Sequence, residues 1–124
     1  MDISHTLMIV DDEPTIRMLI ADVLEEVGYN TLLASDGPGA AKIIDSGVHI
    51  DLLITDVGLP GGMNGRQVAD FARLSRPHLK VLFITGYVEN AAVGDGHLEA
   101  GMELLIKPFE MHTLVERIHT MLSS

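Results

Sequence analysis

Leu7-Met8-Ile9-Val10-Asp11-Asp12-Glu13-Pro14 is the stretch on which the fold turns. Four apolar residues without a polar break suit a strand covered on both faces, as in a parallel sheet. The run stops in three acids, and Pro14 suits the first turn of a helix, where its missing N–H is not needed. Ile16, Leu19, Ile20, Val23, Leu24 and Val27 then keep the three-and-four spacing of one apolar helix face, and Gly28 is a natural stop. The opening is a strand-to-helix unit with acids at the turn.

The same alternation repeats along the chain. Thr31-Leu32-Leu33-Ala34 reads as a second strand, Ser35 and Asp36 offer capping oxygens to a short helix through Ile43 and Ile44, and Gly47 ends it. Leu52-Leu53-Ile54-Thr55 is a third strand that delivers Asp56, followed by the loop Gly58-Leu59-Pro60-Gly61-Gly62. Asn64 caps a helix carrying Val68, Phe71 and Ala72, which Pro77 keeps from continuing. Val81-Leu82-Phe83-Ile84 and Leu104-Leu105-Ile106 are strands four and five, ending at Thr85 and Lys107. A last helix buries Leu114, Val115, Ile118, Met121 and Leu122. Between Val88 and Gly101 the alternation calls for a helix, but Gly94, Gly96 and Gly101 each cost it about 1 kcal/mol in an interior position, so a short or mobile one is expected. Five such units predict an α/β fold, (βα)5, with a parallel sheet in the order 2-1-3-4-5, the flavodoxin-like doubly wound arrangement.

Composition narrows the function. The 124 residues suit one domain, residues 1–124. There is no cysteine, hence no disulfide framework and no thiolate chemistry, which is compatible with the cytoplasm. No apolar run approaches the roughly 20 residues of a membrane span, and the first residues carry no secretion signal, so membrane insertion is not expected. Eight Lys and Arg against 18 Asp and Glu leave a formal charge of −10, which disfavours nucleic acid as a partner.

Asp11 and Asp12 follow strand one, Asp56 strand three, Thr85 strand four and Lys107 strand five. In an open α/β sheet ligands bind beyond the carboxyl ends of the strands, where the winding reverses, here between strands one and three. Singly, an acid is a helix cap, a threonine a local hydrogen-bonder and Lys-Pro a turn. Together they describe another thing: carboxylates that repel unless compensated, with an ammonium nearby and an oxygen set suited to magnesium.

These residues sit in phrases that resemble the receiver domains of two-component response regulators over nearly the whole chain: Val10-Asp11-Asp12-Glu13, Thr55-Asp56-Val57-Gly58-Leu59-Pro60-Gly61, Ile84-Thr85-Gly86 and Ile106-Lys107-Pro108-Phe109. The resemblance implies Asp56 as phosphoacceptor and Mg2+ held by Asp12, Asp11, Asp56 and the backbone carbonyl of Gly58. It implies Lys107 and Thr85 on phosphoryl oxygens, the backbone amides of Val57 and Gly86 facing the same group, and a cis bond before Pro108. It further implies a signalling switch rather than an enzyme, with at most self-phosphorylation from small donors and autodephosphorylation. The donor would be a histidine kinase or histidine phosphotransfer protein, docking on the first helix near Ile16 and on the neighbours of Pro108.

The match has departures. Leu104 stands where the family often has an aromatic residue, so the usual threonine–aromatic coupling cannot operate in that form. Tyr87 follows Gly86 and either crowds the site, acts as a surface switch or covers the sheet edge. The loop Pro60-Gly61-Gly62-Met63-Asn64-Gly65 is one residue longer than the commonest version. The phrases around Met63 and Leu104 are similar to receivers attached to hybrid sensor histidine kinases. Three rival readings compete. A dehalogenase-type phosphatase wants an acid two residues after the nucleophile, where Gly58 stands. A flavin or nucleotide module wants open amides after strand one, where Asp-Asp-Glu-Pro stands. The remaining alternative is a phosphate-independent, receiver-like protein interaction module.

Overall fold

The computed structural model describes residues 4–86 and 98–123. Strands β1 (Thr6–Val10), β2 (Asn30–Ala34), β3 (Leu52–Asp56), β4 (Lys80–Thr85) and β5 (Met102–Ile106) form one parallel sheet in the order β2-β1-β3-β4-β5, as the alternation predicts. Helices α1 (Pro14–Glu26), α2 (Gly37–Asp45), α3 (Gly65–Ser75) and α4 (Met111–Leu122) complete the described elements.

Alternate residues of each strand face opposite sides of the sheet, so unbroken apolar strands build two cores. Met8, Val10, Leu53, Val81 and Phe83 pack against Ala40 and Ile44 of α2 and Val68, Ala69 and Ala72 of α3. Leu7, Ile9, Leu52, Ile54, Leu82 and Ile84 pack against Ile20, Ala21 and Leu24 of α1 and Leu114, Ile118 and Met121 of α4. Two helix starts are held by side chains. The Asp36 carboxylate accepts the Gly39 N–H at 2.8 Å. Asn64 Oδ1 accepts the Gln67 N–H at 2.9 Å while Gln67 Oε1 accepts the Asn64 N–H at 2.8 Å, a complete capping box.

The apolar face expected on α1 is shifted. Leu19 is 45% exposed, whereas Ala21 is buried. Both lie about 100° round the helix from Ile20, on opposite sides, and the sheet reaches only one of them. Val27, 53% exposed, stands past the last helical residue and escapes the face altogether. Val115 and Leu122 are half-buried against the core rather than enclosed by it. Tyr87 and most of the helix expected over Val88–Gly101 lie outside the described residues; residues 100 and 101 form a turn into β5, with the Met102 N–H on the Glu99 carbonyl at 3.0 Å. Among the described residues no helix is long and apolar enough to cross a membrane.

Candidate functional site

Strand register assembles the site. Val10 pairs with Thr55, so Asp11 leaves β1 level with Asp56 at the end of β3. Asp56 pairs with Ile84, and Thr85 pairs with Ile106, so Gly86 and Lys107 leave the sheet side by side. Asp11 and Asp56, 45 positions apart, and Asp56 and Lys107, 51 apart, thereby meet at the carboxyl ends of the strands, at the winding reversal.

Asp11, Asp12 and Asp56 each offer a carboxylate oxygen, and these oxygens lie within 4.8 Å of one another. Their settings differ. Asp11 is 2% exposed, Asp56 is partly covered and Asp12 is open to solvent. Asp11 is pinned as well as buried: its backbone N–H donates to the Ala34 carbonyl at 3.2 Å, and its Oδ1 accepts the Glu13 N–H at 2.9 Å. Asp56 Oδ2 accepts from the Lys107 ammonium at 3.0 Å, and Oδ1 accepts the Gly58 N–H at 2.9 Å. Thr85 is buried at the end of β4, its carbonyl taking the Lys107 N–H at 2.8 Å. The Lys107–Pro108 bond is cis.

The charges work on one another. Burial pushes the Asp11 carboxyl above its usual range; the Glu13 N–H and Lys107 pull it down, while Asp56 and Asp12 add to the rise. Burial likewise works against the Lys107 ammonium, but the hydrogen bond and charge of Asp56, then Asp11 and Glu13, outweigh it, and its pKa stands above the usual lysine value. An all-oxygen donor set with excess negative charge fits a hard divalent cation such as magnesium and offers zinc neither imidazole nor thiolate.

A carboxyl whose pKa is raised by folding destabilises the fold as pH climbs from its ordinary value of 3.8 through the raised one, and above that window the loss is complete. A bound cation relieves it. Magnesium at ten times its Kd should add about 1.4 kcal/mol, several degrees of thermal midpoint, with the shift growing as pH rises through the carboxylate range. Asp11→Asn should raise the midpoint of the metal-free protein at neutral pH and shrink the magnesium shift. Thermal scans in chelator and in magnesium, at about pH 4.5 and pH 7, test both; an undiminished shift in Asp11→Asn removes Asp11 from the metal set.

The Val57 N–H, expected to face a phosphoryl group, donates here to the Ile84 carbonyl at 3.0 Å, because β3 and β4 are still paired at that level. The amide that reaches the Asp56 carboxylate is the next one, that of Gly58. Gly65 is a residue that sequence reasoning missed. Its N–H donates to the Val57 carbonyl at 2.9 Å, and a Cβ there would lie 2.1 Å from the Asp56 carbonyl oxygen. The only sequence signal was a glycine at the first position of a capped helix. The longer loop before it turns through Gly61 and Gly62, both at φ above +80°, and lays the Met63 side chain where a Cβ of Gly37 would be. Leu104 is half-buried against the α2–α3 core.

Residues 7–119 match the family of the response regulator receiver domain. The response regulator receiver protein CpdR of Brucella abortus is 30% identical over 94% of this chain and 95% of its own length. The sensor kinase CckA of the same organism is 31% identical over 96% of this chain but only 13% of its own length, so the chain spans a small part of that relative. Among solved structures, the response regulator protein TrrA of Thermotoga maritima in complex with Mg(2+)-BeF superposes with a TM-score of 0.78 at 30% identity, covering 94% of this chain and 98% of that one.

Proposed function

The chain belongs to the response regulator receiver domain family, and from that premise we propose that it is a phosphoacceptor switch in which Asp56 takes a phosphoryl group from a histidine kinase or histidine phosphotransfer protein. The observation that carries this reading is the surroundings of Asp56: one carboxylate oxygen on the Lys107 ammonium at 3.0 Å, beside two further acids suited to a dication. Residues 1–124 are read as one receiver domain, and the acidic, cysteine-free chain suits the cytoplasm.

A carboxylate attacking phosphorus approaches a group that is itself negative. Magnesium, which Asp11, Asp12, Asp56 and the Gly58 carbonyl would hold, would supply positive charge to the phosphoryl oxygens. Lys107 stands within reach of the same oxygens once they arrive on Asp56. The O–P bond to Asp56 forms as the P–N bond to the donor breaks, and the donor imidazole keeps the electron pair and takes up a proton. Thr85 and the Gly86 amide, at the neighbouring strand end, take the oxygens that Lys107 leaves, which biases an existing equilibrium between two states. With Leu104 in place of an aromatic ring, that bias reaches the surface by another route. The donor helix has an apolar landing place at the rim, since Met18 and Leu19 on α1 are 49% and 45% exposed and Ile16 is partly so. The Mg(2+)-BeF complex of TrrA supports the metal assignment by likeness.

Intact-protein mass spectrometry after incubation with a small phosphodonor tests the reading. One phosphoryl group should appear with magnesium, fail to appear in chelator, and be missing from Asp56→Asn. A folded protein with no adduct under any condition overturns it and leaves a phosphate-independent interaction module.

A further inference from the structure

Arg17 is the cation on α1 nearest in sequence to the acids, yet it spends its guanidinium on none of them. Its Nη1 donates to the backbone carbonyl of Asp11 at 2.7 Å. Its own N–H closes the first helical turn on the Glu13 carbonyl at 2.9 Å. Among the described residues it forms no ion pair, although Asp11, Asp12 and Glu13 all lie within six positions. The side chain is partly buried, so its position is set by packing as well as by charge.

This bond completes the immobilisation of Asp11. The residue has three polar groups: its N–H is held by Ala34 of β2, its carboxylate by the Glu13 N–H, and its carbonyl by Arg17. The segment Asp11-Asp12-Glu13 is thus tied to β2 on one side and to the first turn of α1 on the other. Asp12 stands exposed at the middle of a short bridge with both ends fixed.

We infer that Arg17 is a positioning residue for the cation site, and that its bond to the Asp11 carbonyl holds the Asp11–Asp12 turn in the geometry that binds magnesium. The inference rests on the metal reading given above. Charge and position predict opposite signs here. A guanidinium close to a dication repels it, so on charge alone its removal tightens magnesium binding. If the bond holds the turn, removal loosens the ligands, and losing such an outer partner typically costs about 10–100-fold in metal affinity.

The test is magnesium binding by calorimetric titration of the wild-type protein, Arg17→Met and Arg17→Lys, with folding followed by circular dichroism. We expect about tenfold weaker binding in Arg17→Met and partial recovery in Arg17→Lys, whose shorter side chain keeps an N–H donor for the carbonyl. At saturating magnesium the rate of Asp56 phosphorylation should return to within about twofold of wild type, so the loss sits in affinity and not in the chemical step. Unchanged or tighter binding by a folded Arg17→Met protein overturns the inference and leaves the metal site standing. Should Arg17→Met not fold, Arg17→Ala, which has no donor at all, decides: binding equal to or tighter than wild type overturns it equally. Absence of binding by the wild-type protein overturns the metal reading itself.

Discussion

Gly65→Ala is expected to lower stability by about 2–4 kcal/mol, which for a domain of this size is a fall of roughly 10 °C in thermal midpoint. The added Cβ would sit 2.1 Å from the Asp56 carbonyl oxygen, 2.9 Å from its carbonyl carbon and 3.0 Å from the Val57 Cα. All three atoms are backbone, at the end of a strand paired on both sides, so no side chain can swing away. The helix must move instead, and it carries Val68, Ala69 and Ala72, each fully buried. Alanine's better helix propensity offsets at most about 1 kcal/mol of this. Because the collision is with the phosphoacceptor's own peptide, phosphorylation should slow by about tenfold or more in the fraction that folds. Gly58→Ala is the control: its Cβ would meet only Asp56 Oδ1, at 3.9 Å, an ordinary contact. Thermal unfolding of both variants decides the matter. A Gly65→Ala midpoint within 2 °C of wild type would show that α3 retreats freely and that the close approach is incidental.

Lys107→Met should reduce the rate of Asp56 phosphorylation by roughly 100-fold or more, the scale on which a single preorganised charge at a developing anion acts. Methionine is unbranched and only one heavy atom shorter than lysine, and it removes the charge, so packing changes little. Two consequences separate this from a folding defect. The ammonium is one of the influences that pull the Asp11 carboxyl downward, and without it Asp11 rises further. The metal-free variant should then be less stable at neutral pH than wild type and gain more from magnesium or mild acid. Rates from a small phosphodonor at saturating magnesium, with thermal midpoints in chelator at pH 5 and pH 7, supply both readouts. A rate within threefold of wild type would remove Lys107 from the transfer step.

The two variants differ in how visible their residues are from sequence. Lys107 ends an apolar run and belongs to a four-residue phrase, Ile106-Lys107-Pro108-Phe109, that is specific in company with the other three. Gly65 carries no such mark. What makes it a glycine is the distance to a residue nine positions earlier, and that distance exists only when α3 lies down on the end of β3.

The amino-acid sequence by itself determined the alternation of strands and helices and the four strand ends that carry polar residues. Those properties follow from local periodicity: unbroken apolar runs demand cover on both faces, and Pro14, Asp36 and Asn64 mark where the helices start. Tertiary structure alone decided which of three neighbouring acids is buried, that the Gly58 and not the Val57 amide meets the Asp56 carboxylate, that Leu19 faces solvent while Ala21 does not, and that Arg17 grips the Asp11 carbonyl. The physical reason is common to all four. Each depends on register and on the approach of separate elements to within hydrogen-bond or van der Waals distance, and neither is encoded in the spacing of residues along one element.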